Sequence, residues 1–288
     1  MIALVLHVVL SSAFGILLKY AKDRGHRLDP IGFINYLVAL LIAIWSMMQL
    51  GSFSFSGLTT GLGVTNGVTY ALGFFLWKVS VQVSGVVVTT AILRLSMVIP
   101  ITFAILVWHE VPNTWQILGI FLTCTALPLL TTNDPIEAAP RSISTTAGGL
   151  GAIVVSLTFA NAGVGRLMMK IFNETCSVDE KPFYLFFLFG VTTFVFAIVC
   201  NHQKIMPTYW EYIFGILVGV SNFSQSVTFL VALDSIDALI VFPVSAASSV
   251  LFTTLVGVVF LKEKLHKKSI IGIILAVIAL IFVNLKNT

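Results

Sequence analysis

The chain has 288 residues, of which 58% are hydrophobic and only 10% charged, with a mean hydropathy of +1.02. A soluble domain carries about 25% charged residues, so this composition excludes a soluble enzyme or binding module. The net charge of +4 is spread over short loops, which argues against a nucleic-acid partner and reads as a topology signal.

The apolar residues come in runs long enough to cross a bilayer as helices. This predicts an all-α, multi-pass membrane protein and excludes a β-barrel, whose strands alternate over short segments. The partner implied is the lipid bilayer, in a cell (plasma or inner) membrane. Cys124, Cys176 and Cys200 are an odd count without metal-ligand spacing, so they read as structural thiols.

The first span is expected over 2–18. No basic region precedes it, so it reads as a retained helix rather than a leader. A basic loop follows, with Lys19, Lys22, Arg24 and Arg27. Further spans are expected over 31–49, 58–78, 85–108 and 114–130, with a polar turn at 51–57. Asn113 and Gln116 form a capping box opening the fifth span. The polar stretch 133–148 reads as a linker. Spans over 150–171, 183–200, 209–233, 236–261 and 269–285 complete a set of ten.

The two sides of the linker repeat. An offset of 153 lays Ser96 on Ser249, Glu110 on Glu263 and Gly119 on Gly272, and an offset of 152 lays Gly63 and Gly67 on Gly215 and Gly219. Residues 1–132 and 149–288 are therefore expected to be two five-helix repeats. Five is odd, so the second repeat runs inverted, an architecture that gives alternating access.

The end of the fourth or ninth span, a glutamate, a short turn and a Gly-containing last helix recur as Trp108-His-Glu-Val-Pro-Asn-Thr-Trp-Gln-Ile-Leu-Gly119 and Phe260-Leu-Lys-Glu-Lys-Leu-His-Lys-Lys-Ser-Ile-Ile-Gly272. This pattern resembles the drug/metabolite transporter superfamily, in particular its ten-helix EamA-type members. The resemblance implies a basket of ten helices whose cavity is lined by helices 1, 3, 4, 6, 8 and 9. Helices 5 and 10 would lie at the periphery or at a homodimer contact. It also implies export or exchange of small metabolites without ATP. Family habit places both termini in the cytoplasm. The basic residues, however, gather in the odd-numbered loops, and the positive-inside rule then places both termini outside.

Arg94 is the sharpest candidate site residue. A guanidinium inside a span costs roughly 2.5–3.5 kcal/mol even on lenient insertion scales. It suits a carboxylate or phosphate on a substrate, and the alternative is a structural arginine bonded to helix carbonyls. Its repeat counterpart is Ala247, so the charge is one-sided. Asn66, Tyr70, Gly73 and Trp77 share one face of the third span, as do Asn222, Gln225 and Phe229 in the eighth. Such stripes suit a cavity wall or helix–helix glue. His7 in the first span could titrate near neutral pH and couple protons, or sit neutral and bonded. Thr158, Asn161 and Gly165 share a face of the sixth span, with Arg166 one step beyond, and Ser245 follows Pro243 in the ninth. Pro100 and Pro243 read as hinges. Glu110 and Glu263 read as cap features at helix ends.

No phosphate loop, nucleophile elbow or zinc motif is present in the sequence, so no enzyme, cofactor or metal is expected. The expected function is secondary transport of a small polar metabolite, anionic or zwitterionic, such as an amino acid or organic acid. The alternative is a flippase, or a membrane-embedded enzyme or scaffold for a lipid-linked substrate. The charge bias makes one prediction of its own: a reporter active only in the cytoplasm, fused to either terminus, stays silent. Activity at both ends would reverse the orientation.

Overall fold

The computed structural model describes residues 1–50, 55–130, 147–204, 206–261 and 267–285. All but the last two residues of the expected linker at 133–148 lie outside that set, as do residues 51–54 of the polar turn and Glu263. The described residues form ten α-helices in chain order: α1 (Ile2–Asp23), α2 (Leu28–Met48), α3 (Gly57–Leu95), α4 (Val98–Val107), α5 (Thr114–Leu130), α6 (Ala147–Thr175), α7 (Lys181–His202), α8 (Tyr209–Leu233), α9 (Ala238–Leu261) and α10 (Lys267–Asn284). Among the described residues, eight segments are long and apolar enough to cross a membrane. The expected third and fifth spans are not among them. Thr114–Leu130 is apolar but 17 residues long, and the first part of α3 is diluted by threonines, glycines and Asn66.

The chain divides into two compact units, each drawing helices from both sides of the linker. The first is Met1–Ala71 with Met168–Ser235. Here α8 packs against α1 and α2, and α2 packs against α7. Its interior is aromatic. Phe172 stacks on Tyr184 with centroids 4.3 Å apart, and Tyr36 lies against Phe196 at 5.0 Å. Helix ends are tied by charge. The Arg27 guanidinium forks onto Glu211, with Nε 3.0 Å from Oε1 and Nη2 2.8 Å from Oε2. Thr208 and Glu211 form the capping box of α8. At the start of α3, Glu180 accepts from the Ser56 amide at 2.8 Å and from the Thr59 hydroxyl.

The second unit is Leu72–Leu167 with Ile236–Thr288. Here α5 packs along α10, and α9 touches α4, α5 and α10. The Asn113 and Gln116 caps pair as expected, at 2.9 and 2.8 Å.

Small residues set the helix spacing in both units. In the first, a Cβ at Gly63 would meet Phe187 Cβ at 2.7 Å and the Tyr184 carbonyl at 2.9 Å. One at Gly215 would meet Ile34 Cβ at 2.5 Å and the Ile31 carbonyl at 3.4 Å. Gly67 faces the Leu188 carbonyl and Val191, and Gly219 faces the Asn35 carbonyl and Val38. In the second unit, Gly119 faces the Val283 amide at 2.7 Å and Gly272 the Leu130 amide at 2.9 Å. The partners within each set lie 153 residues apart: 34 and 187, 31 and 184, 35 and 188, 38 and 191, 130 and 283.

The expected helix over 85–108 is not continuous. Gly85, at φ 81° and ψ 162°, breaks α3 where the fourth span is expected to begin, and a further break falls inside that span. Only glycine adopts this conformation without steric cost. Ser80 and Thr89 hydroxyls meet at 2.8 Å across it. Nine residues of straight helix would separate them by roughly 13 Å, so the chain folds back at Gly85. The second break, at Ser96–Met97, follows from Pro100. Proline has no N–H for the Ser96 carbonyl and crowds it sterically. The ladder tightens there to three-residue bonds, Met97 N to Arg94 O and Ile99 N to Ser96 O, each 3.2 Å.

Gly119→Ala forces the α5–α10 backbones apart and is expected to cost about 1–3 kcal/mol, read as a lowered melting midpoint in detergent. Gly61→Ala, where nothing lies within 4 Å of the added Cβ, does not lower the midpoint. Equal midpoints for the two variants would contradict this packing.

Candidate functional site

The residues singled out from the sequence fall into two groups, one in each compact unit. In the second unit, Arg94 sits in the last turn of α3, just before the break made by Pro100. It is partly buried, and among the described residues its guanidinium has no hydrogen-bond or ion-pair partner. Desolvating a cation without pairing it is expensive.

Arg166 approaches the same turn from α6. Its Nη1 donates to the Leu93 carbonyl at 2.8 Å and to the Ser96 hydroxyl. The Ser96 hydroxyl in turn donates to the Leu93 carbonyl at 2.7 Å. In an unbroken helix that carbonyl would accept from the Met97 amide, which bonds Arg94 instead. Arg166 and Ser96 therefore satisfy an acceptor that the break releases. Asn161, one turn earlier on α6, lies over Gly73, where an added Cβ would stand 2.9 Å from its Nδ2. Trp77 packs against Phe74 with centroids 6.2 Å apart, and Ser245 is buried in α9.

In the first unit, a polar ladder crosses three helices. His7 Nδ1 on α1 donates to the Gln225 carbonyl at 2.9 Å, which fixes the proton on that nitrogen. Gln225 Nε2 donates to Asn222 Oδ1 at 3.1 Å, and Asn222 Nδ2 donates to Asn35 Oδ1 at 3.1 Å. The His7 ring also packs on Phe229, with centroids 4.8 Å apart. Asn66 is fully buried and donates to the Tyr184 hydroxyl at 2.6 Å, while the Tyr70 hydroxyl reaches Met169 Sδ at 3.9 Å. Of this unit's stripe residues, Asn66 and Asn222 are thus committed to neighbouring helices.

Sequence reasoning missed three contributors. Asn35 is an amide inside an apolar span, which was the available signal. Arg166 was noted only as lying beyond a polar face. The third is the partner of Glu110. Its carboxylate accepts from the Leu239 amide at 3.2 Å, in the first turn of α9, where the helix dipole favours an anion. Glu110 is a cap feature, as expected, but on a helix from the far side of the linker. Among the described residues no group of three His, Cys, Asp or Glu side chains could hold a metal ion.

Comparison with known proteins agrees with this architecture. A protein of Haemophilus influenzae described as uncharacterized is 25% identical over 289 residues, covering 96% of this chain and 95% of that one. A solved crystal structure matches with a TM-score of 0.73 at 12% identity, over 98% of each chain, a likeness of fold alone. The sequence profile of the EamA-like transporter family matches residues 148–285. That segment, just under half of the chain, resembles the EamA-like transporter family of the drug/metabolite transporter superfamily, and the apolar helices make the chain a multi-pass helical membrane protein.

Proposed function

We propose that the chain is a secondary transporter, an exporter or exchanger, of a small anionic or zwitterionic metabolite such as an amino acid or organic acid. It works by alternating access of two inverted five-helix repeats, 1–132 and 149–288, in ten spans of the cell membrane. The match of residues 148–285 to the EamA-like transporter family supports transport as the class of activity. The duplication is supported by the glycine contacts, whose partners lie 153 residues apart in both compact units. Two unrelated halves would have no reason to share that offset.

The observation that carries the substrate class is Arg94. It is a partly buried guanidinium in a segment apolar enough to span the membrane, and it has no described partner. A carboxylate brought by the substrate would supply a bidentate partner and remove the cost of the unpaired charge. Trp77, Asn161 and Ser245 in the same unit would add stacking and hydrogen bonds. Within the first unit, His7, Tyr70 and Gln225 are the candidate polar contacts for a transported group or a coupled proton, with Asn66 and Asn222 holding their helices in register. His7 is the proton-coupling candidate, because it is an imidazole inside a segment apolar enough to span the membrane. The face of α5 and α10 is the candidate homodimer contact. No observation favours the flippase or membrane-enzyme reading.

Proteoliposomes containing the purified chain are expected to take up one or more labelled amino acids, organic acids or nucleotide derivatives with saturation. Arg94→Ala abolishes that flux while the protein still inserts and elutes as a folded species. Arg94→Lys recovers part of it, since a point charge cannot replace the guanidinium fork. Full transport by the alanine variant overturns the assignment of Arg94. In the same vesicles, His7→Gln is expected to remove stimulation by a proton gradient and leave counterflow exchange intact. Undiminished gradient stimulation would remove His7 from the coupling path.

A further inference from the structure

We infer that Arg166 is a positioning residue: it latches the broken turn between α3 and α4, and so sets where the Arg94 guanidinium stands. The inference rests on the reading of Arg94 as the substrate's anchor.

The turn that carries Arg94 is weak by construction. Pro100 removes one ladder hydrogen bond and displaces the next, so Ser96–Met97 is held by three-residue bonds of 3.2 Å. Left alone, the Leu93 carbonyl would lack a backbone donor in a segment apolar enough to span the membrane, where no water stands in. Arg166 donates to that carbonyl from α6 at 2.8 Å, beside the Ser96 hydroxyl at 2.7 Å, and at the same time grips that hydroxyl. These two contacts bracket Arg94, one residue before it and two after. Gly163, one turn earlier on α6, lets Ile99 of α4 approach closely, so the helix bearing the latch also seats the other side of the break. A guanidinium suits this task because its planar fork holds two acceptors in fixed geometry, which an ammonium does not. Arg94 and Arg166 thus divide the work. The first is unpaired among the described residues and stands ready for an anion, while the second is spent on backbone and hydroxyl.

The test uses the full chain with Ser96→Ala, Arg166→Lys and Arg166→Met, the serine variant being mild enough to fold if the arginine variants fail. Hydrogen exchange of the peptide spanning 92–99 is read in detergent without any substrate. Exchange at Ser96 and Met97 is expected to quicken about tenfold or more in Ser96→Ala and Arg166→Met, with Arg166→Lys between them and wild type. Proteoliposome uptake of labelled glutamate and succinate is read in parallel. The expected result is KM raised about tenfold in Ser96→Ala, with Vmax within about twofold, as for lost ground-state positioning. Unchanged exchange in both Ser96→Ala and Arg166→Met overturns the latch. Quickened exchange with KM unchanged overturns its role in placing Arg94. If the wild-type chain moves neither probe but exchange quickens, the latch stands and the choice of substrate falls.

Discussion

Inside hydrocarbon, a backbone carbonyl must find a donor within the protein. That constraint explains the most unusual part of this chain. Pro100 cannot donate to Ser96, the ladder slips, and the Leu93 carbonyl is released. The protein answers with a serine hydroxyl and a guanidinium from α6. Here a local hydroxyl and a polar group from a second helix share the released acceptor, and the second contact ties the two helices together at that point.

The second organising feature is close approach. Without a hydrophobic drive between apolar helices, packing depends on how near the backbones can come. Glycines at 63, 67, 119, 215, 219 and 272 provide that nearness, each against backbone or Cβ atoms of one neighbour. The spacing of their partners by a single offset is what the proposed duplication predicts. It also divides the glycines by role: those in the seams define the fold, whereas Gly85 allows a reversal of direction.

Much of this was legible in the sequence. Helix number and class follow from apolar run length, and the Asn113–Gln116 box from residue types three apart. The glycine offset is visible as a repeat. What was not legible depends on partners far apart in the chain. Periodicity registers neighbours within two turns, so it cannot say that Glu110 caps α9 or that Arg166 reaches Leu93. The effect of Pro100 was also displaced. A proline disturbs the carbonyl four residues before it, so the break lies upstream at Ser96–Met97 and splits what reads as one span. Asn66 and Asn222 share helical faces with their neighbours, as the spacing predicts. A shared face does not distinguish a cavity wall from a contact, and their amides meet Tyr184 and Asn35.

The ties at the helix ends of the first unit carry a further meaning. Arg27 and Glu180 stand 153 positions apart, each just before α2 or α7, and each reaches the start of another helix, at Glu211 or Thr59. The positions correspond but the adhesives differ: one seam joins two full charges, the other joins a carboxylate to hydroxyls and an amide. Mobile ions screen the first far more than the second, because the arginine is about half exposed, at 47%. Ionic strength thus acts unequally on the unit, loosening the seam at α8 before the one at α3.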